Sequence, residues 1–252
     1  MARRWVPYLA LTSALAAQSA IENTGKPLAV PFNCSSEELP ASGSNCSEEE
    51  PCPIFLELNG VEAAGNRIFL AGDIHTANAT VQSILLTSED AGKTWTEPHP
   101  RLRFTALDQI QFVDFETGWI SGANTLGAPR DPFLLVTTDG GKTWHVRPVY
   151  EDSRSGVIEK FWFDSRSNGV MLLAARYENR YELYETMTGG ESWSLRRSST
   201  DPITFPRSKT APVNAWRLRP DASTRSFAVE RSQGERWQRV AGFLVETTKC
   251  ME

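Results

Sequence analysis

Tryptophan recurs at positions 95, 144, 193 and 237, at intervals of 49, 49 and 44 residues, and each closes a similar stretch of chain. Ser88-Glu89-Asp90-Ala91-Gly92-Lys93-Thr94-Trp95 and Thr137-Thr138-Asp139-Gly140-Gly141-Lys142-Thr143-Trp144 are nearly the same. Thr186-Met187-Thr188-Gly189-Gly190-Glu191-Ser192-Trp193 and Ser232-Gln233-Gly234-Glu235-Arg236-Trp237 are worn copies. A fixed period of this size marks a propeller or solenoid, in which each repeat is one small sheet unable to bury its face alone.

Each stretch follows an apolar run, such as Ser83-Ile84-Leu85-Leu86 or Phe133-Leu134-Leu135-Val136, and leads into another short strand. An Asp-x-Gly pair between two strands is a hairpin signal: the carboxylate accepts bonds from turn amides, and the glycine takes a positive φ. The closing indole is then buried between neighbouring sheets, a contribution of about 4–6 kcal/mol at about 25 cal/mol per Å², before entropy. Asp90, Gly92, Trp95, Asp139, Gly141, Trp144, Gly190, Trp193 and Trp237 are accordingly expected to be structural. In the last two copies Thr188 and Ser232 replace the aspartate, which weakens the turn bond.

These residues match the Asp-box (BNR) repeat, and Val113-Asp114-Phe115-Glu116-Thr117-Gly118-Trp119 adds to the likeness. Residues 55 to about 245 thus resemble the Ycf48-like photosystem-assembly propellers and, more loosely, sialidase-type propellers. The resemblance implies an all-β fold whose boxes lie away from any active site. Counting the copies gives a small propeller of about four four-stranded antiparallel blades, against the six or seven of those families. The strands left over, Ile54–Leu56 and Phe243–Val245, are expected to complete one shared blade.

The 252 residues divide into a signal peptide over 1–20, an acidic arm over 21–53 that is disordered or disulfide-pinned, and the propeller over 54–252. Arg3 and Arg4, the apolar run from Trp5 to Ala17 and the small residues around Ala16 and Ser19 carry the first of these readings. They place the protein in a secreted or periplasmic compartment. No stretch of about 20 apolar residues spans a membrane, and a net charge of −5 argues against nucleic-acid binding. Asn33-Cys34-Ser35, Asn45-Cys46-Ser47 and Asn78-Ala79-Thr80 fit the glycosylation acceptor pattern. Four cysteines in an exported chain suggest two disulfides with three possible pairings. A ring brings its ends together, which favours Cys52–Cys250 as the closure and Cys34–Cys46 as a staple within the arm.

In a meander the loops after strands two and four share one rim, and here these are the long ones. They carry Arg101, Arg103, Arg130, Arg154, Arg176, Arg180, Arg207 and Lys209, with Tyr150 and Tyr177. This basic, aromatic rim is the candidate face for a protein partner or an anionic or carbohydrate ligand. The expected role is a non-catalytic binding or assembly scaffold. The alternative is a sialidase-like exo-glycoside hydrolase, for which Tyr181-Glu182, Tyr184-Glu185, Asp131 and Glu151 supply residue types but the Arg-Ile-Pro signature is missing. His75, His99 and His145 lack metal-ligand spacing, and Gly140-Gly141-Lys142-Thr143 lacks the second glycine of a phosphate loop. Neither metal nor cofactor is expected.

Overall fold

Ten residues from Phe55 alternate so that Leu56, Leu58 and Gly60 are buried while Glu57 and Asn59 are exposed, and they form the innermost strand of the first sheet. The computed structural model describes residues 20–250 apart from 36, 48, 128, 176–177, 206–214 and 248. The proposed signal segment and Arg176, Tyr177, Arg207 and Lys209 lie outside, or almost wholly outside, the described residues. No helix among the described residues is long and apolar enough to cross a membrane.

The protein is a small β-propeller of four sheets. The first holds β4 (Phe55–Ala64), β5 (Arg67–His75) and β6 (Thr80–Ser88), with β7 (Thr94–Trp95) beside β6 through the Thr87–Thr96 bridge. The second is β8 (Thr105–Phe112), β9 (Gly118–Asn124), β10 (Arg130–Thr137) and β11 (His145–Pro148). The third is β12 (Val157–Phe163), β13 (Gly169–Ala175), β14 (Arg180–Thr186) and β15 (Ser194–Ser199). All three are antiparallel meanders in the order expected from the repeat.

The fourth sheet departs from the pattern. It contains β16 (Trp216–Asp221), β17 (Ser226–Gln233) and β18 (Arg236–Val245). Trp216 and Gln233 sit beside Gly65 and Asn66 at one rim, and Asp221 sits beside Phe55 at the other. The innermost strand β16 therefore runs opposite to β4. Phe243–Val245 is the end of β18, and Ile54–Leu56 contributes to the start of β4, so those two segments do not share a blade. The strand that completes the fourth sheet is β2 (Leu28–Val30), which pairs parallel with Phe243–Val245.

The arm is thus a folded buckle. Ile21–Glu22 (β1) pairs with Thr94–Trp95, and Leu28, Val30, Phe32 and Leu39 are buried in the core between the fourth and first sheets. A short helix, α1 (Glu38–Ala41), and β3 (Cys52–Pro53) follow, the latter pairing with β19 (Lys249–Cys250). The disulfides are Cys34–Cys250 and Cys46–Cys52, which corrects the expected Cys34–Cys46 and Cys52–Cys250. The cause is the parallel ladder. Val30 is registered with Val245, so the chain four residues past one meets the chain five residues past the other.

Three cores lie between sheets: fourth with first, first with second, and second with third. Trp95 packs edge-on against Phe243, Trp144 against Phe69, and Trp193 against Phe163, each within one of these interfaces. Among the described residues no such core joins the third sheet to the fourth. Trp237, which occupies the matching position, is 38% exposed, with the Arg217 guanidinium 4.2 Å above its ring. The ring has a seam there.

Inner strands of neighbouring sheets are joined by side-chain amides. Gln111 donates to the Phe163 carbonyl at 2.7 Å and accepts from the Phe163 amide at 2.8 Å. Gln109 does the same with Phe161, and Asn59 donates to the Leu107 carbonyl. Each glutamine acts as a length of β-strand. Gly60 lets β4 and β8 approach, because a Cβ there would collide with the Asp108 carbonyl oxygen and with Ile110.

Candidate functional site: the axial cleft

The aspartate turns are tightly self-satisfied. The Asp90 carboxylate accepts from the Lys93 and Thr94 amides and from the hydroxyls of Ser88 and Thr94, and Asp139 repeats each bond with Lys142, Thr143 and Thr137. The Thr94 amide and hydroxyl hold Asp90 down at about 2. Burial is the largest single influence on Asp139 and raises it, but the bonds from Thr143, Thr137 and Lys142 together bring it down to about 2. Trp95 and Trp144 donate their indole N–H to the carbonyls of Gly92 and Gly141, both at 3.1 Å. In the third copy the Thr188 hydroxyl takes over, accepting from the Ser192 amide at 2.9 Å, and the buried Trp193 N–H has no partner among the described residues.

The arginines of the long-loop rim are largely engaged within the chain. Arg101 makes a two-pronged ion pair with Glu97, and Arg103 pairs with Glu38 at 2.8 Å. Arg180 sits between Glu178 and Glu182, although its Nε is off the hydrogen-bond direction to Glu182. Arg154 lies 4.6 Å over the Tyr150 ring. Arg130 is exposed at the edge of the second sheet. Among the described residues Arg101, Arg103, Arg154 and Arg180 thus each have a partner close by in the chain.

The residue types considered for glycoside hydrolysis are equally committed. The Tyr184 hydroxyl donates to Glu182 at 2.7 Å, and Tyr150 donates towards both Tyr184 and Glu182, at 2.9 and 3.2 Å. Burial, then the bond to Tyr184, pushes the Tyr150 phenol well above its ordinary value. Asp131 accepts the Arg154 amide at 3.0 Å, and Glu151 is exposed. This cluster locks the second sheet to the third.

Unspent chemistry gathers instead along the axis. A cleft of about 1050 Å³ is lined by inner strands of all four sheets: Glu57 to Ala63, Asp108 to Ile110, Trp162, and Ala215 to Leu218 with Pro220 and Phe227. Its size suits a small ligand or a short stretch of chain. Trp162 and Trp216 are half-buried rings on its wall, and the Trp162 N–H is tied to Asp164 at 2.9 Å. Behind Asn59 lies Asp73, 5% exposed, whose carboxylate meets the Asn59 amide only at 3.4 Å.

Burial pushes the Asp73 carboxyl up to about 7, with His75 pulling it back and Glu57 and Asp108 adding to the rise. Asp108 is raised by burial and by Glu57, and Glu62 by burial against a bond from the Ala63 amide. Burial thus holds Asp73, Asp108 and Glu62 towards their protonated forms, and Asp73 changes charge near neutral pH. The sequence does carry a signal for this site. Asp73 interrupts Ile68-Phe69-Leu70-Ala71-Gly72 and Ile74, and Asp108-Gln109 interrupts Leu107 and Ile110, in strands otherwise built for burial.

No family model matches this chain, and no curated protein matches it. Among solved structures it is similar to a GH74 xyloglucanase from Xanthomonas campestris, with 18% identity, 52% of this chain and 18% of that one covered, and a TM-score of 0.39. It is similar also to YCF48 bound to D1 peptide, with 17% identity, 75% and 53% covered, and a TM-score of 0.41. A PL25 ulvan lyase shares 11% identity over 80% of this chain and 53% of its own, with a TM-score of 0.40. The chain spans about half the length of the last two and less of the first. Likeness at this level transfers no ligand and no chemistry.

Proposed function

We propose that this is an exported Asp-box propeller that acts as a non-catalytic binding scaffold, and that its ligand enters the axial cleft. The observation that carries this reading is the contrast between the two surfaces. Arg101, Arg103 and Arg180 on the rim are paired with acids of the chain itself, while in the cleft the Asp108 carboxylate accepts no hydrogen bond among the described residues. Rigid inner strands from several sheets supply the wall, which suits binding better than mobile loops do. Two disulfides are compatible with the oxidising compartment that export provides.

The test is a titration of intact protein followed by tryptophan fluorescence, beside Trp162→Ala and Trp216→Ala and beside a rim variant, Arg130→Ala with Arg154→Ala. Loss of binding in the first pair and its retention in the rim variant supports the cleft. The reverse result returns the site to the loops.

A second reading, glycoside hydrolysis, is favoured by one feature: Asp73, which keeps a proton up to about 7 beside Asp108, has the character of a general acid. Cleavage of any member of a fluorogenic glycoside panel, abolished by Asp73→Asn, would establish it.

A further inference from the structure

The axial cleft is short of hydrogen-bond donors. Among the described residues the Asp108 carboxylate accepts no hydrogen bond, and Glu57 has only His75, 3.7 Å away. Glu62 accepts from the Ala63 amide alone, and Asp73 has the long Asn59 contact. An ionised carboxylate offers about four acceptor positions, so most of this capacity is unused in the free protein. Part-buried carboxylates with so few protein donors make a surface suited to donors brought from outside.

Among the described residues, cations do not fill the deficit. Arg217 is, among the described residues, the one arginine on the cleft wall, and its guanidinium is 2.6 Å from Glu230, which also holds Arg219 at 3.3 Å. His75 is stacked on Phe55. The acids come from two sheets: Glu57, Glu62 and Asp73 from the first, Asp108 from the second. The same cleft is lined by Trp162, Trp216 and Phe227, whose ring faces attract positive charge and accept an apolar stem.

Resting on the proposal that the cleft is the binding site, we propose that its occupant is a basic peptide segment, whose lysine or arginine side chain lays its stem against the indoles and its charged head between Glu57 and Asp108. The head carries three or five donors to acceptors that lack them. Entry of the charge draws the neighbouring carboxyls to ionise, so protons leave as the peptide binds. Binding of this kind strengthens as pH rises through neutrality and weakens with salt.

The experiment is isothermal titration of the intact protein with tetralysine, with maltotetraose and tetraglutamate as neutral and anionic probes, in buffers of different ionisation enthalpy. Tetralysine is expected to bind at pH 8 with proton release, and at least about tenfold more weakly at pH 5. Asp108→Asn and Trp162→Ala are each expected to weaken it at least about tenfold, with unchanged circular dichroism. Glu49→Gln with Glu50→Gln, an acidic pair on the arm, is the control expected to change nothing. Tetralysine binding that survives Asp108→Asn but falls in the arm variant would overturn the proposal as surface attraction. Binding of spermidine as tight as tetralysine would overturn the peptide in favour of a free polyamine. Maltotetraose bound in preference, and lost in Trp162→Ala, would remove the cation while leaving the cleft as the site. No binding by any probe, at concentrations up to the millimolar range, would remove both.

Discussion

Cys52 and Cys250 face each other across the β3–β19 ladder in direct register, yet neither is bonded to the other. Cys250 reaches back to Cys34, and Cys52 to Cys46, so all four cysteines gather at one buckle. The Cys34–Cys250 bridge spans 216 residues and closes the chain where the fourth sheet borrows β2. On the chain-entropy model a loop of that length is stabilised by about 5 kcal/mol, and the Cys46–Cys52 loop by about 2 kcal/mol. Non-reducing peptide mapping is expected to recover these two pairs. Because the register puts Cys250 against Cys52, Cys34→Ser is expected to yield Cys52–Cys250 with Cys46 free. Recovery of Cys46–Cys52 with a free Cys250 in that variant would show that the ladder does not bring the two sulfurs within exchange distance.

The glutamine clamps predict a different kind of loss. Gln111 is 3% exposed and uses both ends of its amide on the Phe163 backbone. Gln111→Leu keeps the bulk but strands a buried N–H and a buried C=O between the second and third sheets, at a cost of about 2–3 kcal/mol. Gln109→Leu, at a position open to the cleft, is expected to cost about 1 kcal/mol because water can replace the lost partner. Urea unfolding of the two variants checks the order, and equal losses would mean that burial of the clamp is not what sets its worth.

Much of this was legible in the residues, and the parts that were not have a common physical cause. The tryptophan period and the Asp-x-Gly turns are local signals, and they marked out the first three sheets as successive meanders. The arm could be read only as disordered or disulfide-pinned because its burial is non-local: Leu28 and Val30 look isolated among polar neighbours, and only a partner more than 200 residues away makes a strand of them. The same distance decided the disulfides. Arginines on the long loops were counted by residue type, but pairing with Glu97, Glu38 and Glu178 is a matter of position that composition does not reveal. The axial acids sat in plain sight as interruptions of apolar strands.

The aspartate turns carry an acid-sensitive contribution. Asp90 and Asp139 ionise at about 2 in the folded chain, below the ordinary carboxylate value near 4. Their stabilisation is therefore complete above about pH 4 and lost as pH falls towards 2. Asp90→Ala leaves a half-buried turn without its acceptor and is expected to cost about 1–2 kcal/mol, against about 1 kcal/mol for the more exposed Asp139→Ala. Neither is expected to alter ligand binding. Thermal melting at pH 7 and pH 2.5 checks both statements, since each variant should differ less from wild type at the lower pH.

Asp73 acts in the opposite sense. Its carboxyl is raised to about 7 in the folded chain, chiefly by burial, and returns to an ordinary carboxylate on unfolding. Between about pH 4 and 7 the folded state therefore holds a proton that the unfolded state has released. Stability is greatest below that window and declines as pH climbs through it. Asp108 and Glu62 are shifted the same way and add to the slope. Asp73→Asn keeps the shape and the Asn59 neighbour while removing the charge. It is expected to leave stability at pH 4.5 nearly unchanged and to raise it by about 1–3 kcal/mol at pH 8. Urea midpoints at the two pH values decide the matter. A variant that parallels wild type across the range would mean that the Asp73 carboxylate is already satisfied, and the donor-poor character of the cleft would fall with it.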